Sequence, residues 1–207
     1  MPAKADPEKQ KQFLKDILMP LIDKAKNGAE VLYFLDASHF VMGAFSGRVW
    51  SVVRKWVRTS SGRQRFNVLG ALNFVTKKVE TIVNTTYITS TEIVAMLENL
   101  AKIHGDKVMN IILDNARYQR CKLVTEKATE LGINLVYLPT YSPNLNLIER
   151  VWKFTKSRVL NASYHETFQG FCGIIENFVK RLQIDFYSEM QSLLSENFHI
   201  IDEICIV

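Results

Sequence analysis

Between residues 91 and 138 the chain alternates helical patterns with short apolar runs, and this alternation restricts its fold more than any other feature. Ile93, Val94, Leu97, Leu100 and Ile103 recur at helical spacing behind a capping Thr91, and the pattern stops at His104-Gly105. The run VMNIIL (108–113) reads as a buried strand. Cys121, Val124, Ala128 and Leu131 then mark a second helix, which Gly132 ends before a further strand at 134–138. A chain that returns to a sheet through a helix each time lays its strands parallel, with right-handed crossovers.

The first half reads differently. VLYFLD (31–36) is a first strand, Val49–Val57 and Phe66–Thr76 look like the next two across the turn-rich TSSGR, and Thr81–Ile88 pairs back as another. The expected fold is therefore α/β: a mixed sheet, an antiparallel meander followed by parallel strands, with helices on both faces. Before the sheet, Asp6-Pro7-Glu8 starts a helix whose Phe13, Leu14, Ile17, Leu18, Leu21, Ile22 and Ala25 form one apolar face until Asn27-Gly28. After it, Phe168, Phe171, Cys172, Ile175, Phe178, Val179 and Leu182 make a long amphipathic helix, and Phe186 to Leu194 a shorter one. The expected division is an N-terminal helix in 1–30, a core in 31–162, and C-terminal helices in 163–207 packed on that core.

Composition narrows the class. At 207 residues and 47% apolar content the chain is one globular domain, long enough to bury roughly 70% of its unfolded surface. Cys121, Cys172 and Cys205 are widely spaced without a CxxC pair, which argues against a disulfide framework or a zinc ribbon and fits a reducing cytoplasm. The charged start MPAKADPEKQ has no signal-peptide core, and no apolar run approaches the ~18 residues of a membrane span, so no membrane partner is expected. The net charge of +5 is compatible with a polyanionic partner.

Three carboxylates stand at element ends. Asp36 ends VLYFLD and Asp114 ends VMNIILD; Glu149 follows a turn rich in Pro and Asn (Pro139, Ser142, Pro143, Asn144) and opens a helix carrying Ile148, Val151, Trp152 and Val159 inward. Sites in α/β sheets collect at the carboxyl ends of strands, and three such carboxylates suggest a metal site. Taken singly, each Asp reads as a strand-end cap and Glu149 as the i,i+4 partner of Lys153. Trp152 reads as core.

The block YSPNLNLIERVWKFTK (141–156), the Asp-Asn pair 114–115 after a strand and Asp36 after the first strand together resemble the catalytic domain of DDE transposases, in the mariner superfamily branch that includes bacterial insertion sequences. The 34 residues between Asp114 and Glu149 look like that superfamily's spacing, the resemblance covers about residues 31–160, and GRQRFNVLGALN (62–73) is similar to the family's next strand region. The resemblance implies a ribonuclease-H-like fold that cuts DNA at insertion-sequence ends and joins the freed 3′ end to target DNA. It implies two divalent cations, Mg²⁺ or Mn²⁺, with Asp36 bridging, Asp114 on one ion and Glu149 on the other. Around them, Asn115, His39 and Asn146 are the expected supporting residues. Arg54, Lys55, Arg58, Arg63 and Arg65, with Trp50, Trp56 and Phe66 interleaved, are candidate DNA contacts, as are Lys153, Lys156 and Arg158, and Arg117, Arg120 and Lys122.

Further expectations follow from the resemblance. Full-length transposases of this kind carry helix-turn-helix modules ahead of the catalytic domain, and the 30 residues before Val31 are too few for one. The expected partners are DNA (element ends and target), a second copy of the chain, and a fusion with the helix-turn-helix product of an upstream reading frame, in a nucleoid-associated cytoplasmic setting. A catalytically inactive DNA-binding remnant is the alternative. A phosphatase using a nucleophilic Asp in FLDAS is disfavoured by Ser38, which stands where a second Asp is needed.

Overall fold

A computed structural model describes residues 5–43, 52–53, 64–160 and 165–200. Its centre is a five-stranded sheet of β1 (Val31–Met42), β2 (Gln64–Asn73), β3 (Val79–Asn84), β4 (Met109–Leu113) and β5 (Ile133–Tyr137), in the order β3-β2-β1-β4-β5. β1–β2 and β2–β3 pair antiparallel, whereas β1–β4 and β4–β5 pair parallel. The mixed sheet read from the sequence is present. Of the strand expected over Val49–Val57, only Val52 and Val53 are described, and they form a bend.

Successive residues of β1 point to opposite faces, and each face has its own core. Tyr33 and Leu35 join Leu69, Ala71, Met109, Ile111 and Leu113 beneath α3 (Ser90–His104) and α4 (Lys122–Glu130). Leu32, Phe34 and Phe40 join Val68, Leu72 and Ile112 beneath the remaining helices. Those are α1 (Pro7–Phe13), a π turn (Leu14–Leu18), α2 (Met19–Lys26), α5 (Ile148–Val159), α6 (Phe168–Asp185) and α7 (Tyr187–Leu193). The π turn lies just before Pro20, whose missing N–H cannot continue the α-helical ladder.

Several boundaries move for identifiable reasons. α3 is capped by Thr89 rather than Thr91, because Glu92 bonds back to the Thr89 backbone and closes a capping box. The β2–β3 connection turns at Asn73, whose Oδ1 accepts from the Val75 and Thr76 amides, so β2 stops there instead of at Thr76. The largest change is in β1. It runs six residues past Asp36 because β2 pairs with it from Tyr33 to Met42, whereas β4 leaves it after Phe34. Asp36 is therefore a mid-strand residue, at the place where β1 loses its parallel neighbour.

Candidate metal centre

The split between β1 and β4 makes the site. Past Phe34 the β4 side of β1 is free of ladder bonds, and the Leu35 carbonyl there accepts from Asn146 Nδ2 at 3.2 Å. Asn146 closes the short 3₁₀ turn Pro143–Leu145, so one side chain fixes the entry of α5 to the sheet at the opening. Across the opening, Asn115 ties the ends of β4 and β5 together by donating to the Leu138 carbonyl, and its Oδ1 accepts from Arg120 at 3.1 Å. Asp114 forms an Asx turn, Oδ1 accepting from the Ala116 amide at 2.9 Å. These elements enclose a cavity of about 350 Å³, lined among others by Asp36, Asp114, Asn115, Tyr141, Asn146 and Glu149.

Trp152 sets the floor. It lies one helical turn beyond Glu149, is 1% exposed, and its Nε1 donates to Asp36 Oδ2 at 3.1 Å. The indole comes this close to the sheet because the residue opposite Asp36 on β2 is Gly70: a Cβ there would meet Trp152 Cη2 and Cζ2 at 2.6 Å and Ile148 Cδ1 at 2.9 Å. Phe40 meets the same indole edge-on, with ring centroids 6.5 Å apart. The sequence showed Trp152 only as a core residue. The available signal was chemical, since a buried indole N–H requires an acceptor and the helix faces the strand bearing Asp36.

The charges of Glu149 and Asp114 both act on Asp36, and that of Asp114 acts on Glu149. Asp36 is pushed up from 3.8 to about 7, first by burial, then by the Glu149 charge, with Asp114 adding to it; the Ala37 amide and Trp152 pull the other way. Glu149 is also raised, first by desolvation and then by Asp114, although Lys156 and Lys153 stabilise its charged form. Burial pushes the Tyr118 hydroxyl up to about 12, and Asp114 and Asp36 contribute their negative charge. Bringing such groups together without a cation costs free energy, and a cation between them returns it.

The donor set fits a hard divalent ion. It offers carboxylate and amide oxygens, and Asn146 Oδ1 is buried with no hydrogen-bond partner among the described residues. Among those residues no three His, Cys, Asp or Glu side chains already form a closed cage, so the carboxylates face a common space without being drawn onto one point.

Other expected residues separate clearly. His39 does not join the site: β1 continues through it, alternation puts it on the face opposite Asp36, and its Nδ1 is 2.8 Å from Asn67 Oδ1. Arg120 and Arg158 are held by protein groups, Arg120 over the Tyr137 ring at 5.1 Å and Arg158 over Phe154 and Phe186 at 5.2 and 5.7 Å. Lys156 sits 5.6 Å above the Phe40 ring, and Lys153 and Arg117 are exposed. Arg65 is exposed at the start of β2. Arg54, Lys55, Arg58 and Arg63 lie outside the described residues, as do Trp50, Trp56 and Cys205. No described helix is long and apolar enough to cross a membrane.

Solved structures share this fold. The catalytic domain of Mos1 mariner transposase superposes with a TM-score of 0.56 at 12% identity, covering 98% of this chain and 100% of that one. The Mos1 paired end complex with Mg matches with a TM-score of 0.63 at 12% identity, and the Mos1 strand transfer complex with 0.61 at 11%; each comparison covers 98% of this chain. The chain spans 66% and 65% of the length of those two Mos1 chains. No curated protein gives a significant sequence match. The family model for DDE superfamily endonuclease matches residues 31–172, and the chain belongs to that family.

Proposed function

We propose that this chain is the catalytic domain of a DDE-type transposase, acting on DNA by metal-dependent strand cleavage and strand transfer at the ends of an insertion sequence. The observation that carries the reading is the meeting of Asp36 on β1, Asp114 just after β4 and Glu149 on α5 at one cavity, where Glu149 and Asp114 raise the proton affinity of Asp36 and Asp114 raises that of Glu149. Family membership supplies the reaction class, and the Mos1 complexes with DNA ends and with Mg supply the analogy for substrate and ion.

Asp36, Asp114 and Glu149 would hold two divalent cations, Mg²⁺ or Mn²⁺, which would supply Lewis acidity for a water or a 3′-hydroxyl nucleophile and for the leaving oxygen. The chain's own residues do the rest. Trp152 holds one oxygen of Asp36, whose carboxyl lines the cavity. Asn146 and Asn115 fix the turn and the strand ends that carry Glu149 and Asp114. Lys153 and Lys156, whose charges act on Glu149, serve as phosphate contacts, together with Arg117, Arg65 and the Arg54–Arg63 segment.

The test is cleavage of a supercoiled plasmid carrying the element ends, with Mg²⁺ or Mn²⁺ and with EDTA. Metal-dependent nicking or excision that Asp114→Asn removes supports the assignment. DNA binding without any cleavage under either ion would point instead to an inactive remnant.

A further inference from the structure

The turn that presents Glu149 is gripped from the far end of the described chain. Arg150, the next residue, bonds among the described residues to main-chain carbonyls of 193–197 and not to a residue of the cavity wall. Its Nη1 donates to the carbonyls of Leu193 at 3.1 Å and Ser195 at 2.8 Å, and its Nη2 to that of Asn197 at 2.5 Å. Its guanidinium also stands 5.6 Å from the Phe198 ring centroid. On the other side of the turn, Asn144 Nδ2 donates to the His199 carbonyl at 2.8 Å and to Gln10 Oε1 of α1 at 2.9 Å. Lys26 of α2 pairs with Glu196 at 2.7 Å and fixes the same stretch to the N-terminal helix.

These contacts have a common geometry. Residues 193–199 run as a strap over Asn144 and Arg150, and between those two positions lie Asn146 and Glu149, both on the cavity wall. Arg150 and Asn144 grip the strap through its main-chain carbonyls, and the Glu196 and Phe198 side chains add an ion pair and a ring contact. A planar five-donor fork suits this task, because it can hold three carbonyls of one irregular segment at once.

We infer that the 193–199 strap is a positioning device for the candidate metal centre, with Arg150 and Asn144 as its two anchors. The inference rests on Glu149 being a ligand, as proposed above. Without the strap the α5 entry keeps its sheet-side contacts, the Asn146 bond to Leu35 and the Trp152 bond to Asp36, but loses its hold on the outer side, and the Glu149 carboxyl is less closely defined relative to Asp36 and Asp114.

The experiment compares the full chain with Arg150→Ala, Arg150→Lys and Asn144→Ala, using amide hydrogen exchange and Mn²⁺ binding followed by electron paramagnetic resonance. In Arg150→Ala, the Glu149 and Arg150 amides, bonded to Asn146 and Leu147, should exchange about tenfold faster or more while those of β1 and β4 keep their rates. Mn²⁺ affinity should fall about tenfold, as for other residues that orient a metal ligand. Arg150→Lys should recover part of both effects. Unchanged exchange at 146–150 with unchanged Mn²⁺ affinity overturns the inference, and so does equal acceleration of the sheet amides, which would make Arg150 a general stabiliser. If Arg150→Ala does not fold, Asn144→Ala decides on the same readouts. Local exchange is independent of catalysis: a wild-type chain that never cuts DNA yet shows this pattern would refute the proposed function and leave the strap standing.

Discussion

Trp152 Nε1 donates a hydrogen bond to Asp36 Oδ2 at 3.1 Å, joining the helix that carries Glu149 to the strand that carries Asp36. A carboxylate buried against neighbouring charges needs such a donor. Trp152→Phe keeps most of the packing and removes the bond; loss of a hydrogen bond to a charged group costs about 1.5–3 kcal/mol. The expected outcome is a shift of the Mg²⁺ dependence of cleavage to higher concentration with little change in DNA affinity. Metal titration of cleavage checks it, and an unshifted curve would show that Asp36 is oriented without the indole.

Gly70 is the complementary test. Because its added Cβ would overlap the Trp152 ring at 2.6 Å, Gly70→Ala must displace a fully buried side chain. Overpacking of this kind costs roughly 1–3 kcal/mol. Chemical denaturation measures the loss, and a variant as stable as the parent would mean that the indole moves freely.

The pH dependence has a definite sign. Asp36 is about 7 in the folded chain against 3.8 as its ordinary value, so between those limits the folded state binds more protons than the unfolded one. Stability of the metal-free protein should therefore fall as pH rises from about 4 to about 7, and Asp36→Asn should remove much of that slope. Divalent cations should act oppositely, raising the melting temperature more at pH 8 than at pH 5, where protons compete for the same carboxyls. Melting curves at several pH values, with EDTA and with Mg²⁺, decide both points.

Loss of chemistry should be separable from loss of binding. Asp36→Asn, Asp114→Asn and Glu149→Gln each remove ligand charge and should abolish cleavage and strand transfer, while gel-shift affinity for DNA stays within a few fold. Full activity in any one of them would remove that residue from the ligand set.

Lys153→Ala with Lys156→Ala should do the reverse. Each lost phosphate contact lowers the slope of log affinity against log salt by roughly one unit. The pair also stabilises the charged form of Glu149, so the double variant should move that carboxyl's titration upward. An unchanged salt slope would return both lysines to a solvated helix face.

How much of this was written in the sequence depended on the range of the interaction. The parallel half of the sheet was legible because each helix stops at a glycine with positive φ, Gly105 and Gly132, and each strand is a short apolar run. The carboxylates were legible through the block around Glu149. The extent of β1 was not: SHFVM carries two polar residues, and only its ladder with β2 makes it a strand. His39 was misplaced for the same reason, since a loop imposes no alternation whereas a strand sends His39 away from Asp36. Trp152 was read correctly as core, but its bond to Asp36 and the part Gly70 plays beneath it were not legible, because their meaning is a distance between elements far apart in sequence. The anchoring of Asn144 and Arg150 by residues 193–199 belongs to that class too.

The departure of β4 from β1 after Phe34 has a consequence for how the molecule comes into being. The β1–β2 hairpin is made of neighbours in sequence, but the opening beside Asp36 exists only once β4 has been added across a longer loop and α5 has seated Trp152 on Gly70. Long-range parallel pairing is the slow part of such assembly. A partly folded chain should therefore own an early hairpin carrying Asp36 and no competent centre, so that cutting ability arrives with the final docking step. Pulse-labelled exchange during refolding should show β1–β2 amides protected before those of α5; simultaneous protection would mean that the centre forms together with its scaffold.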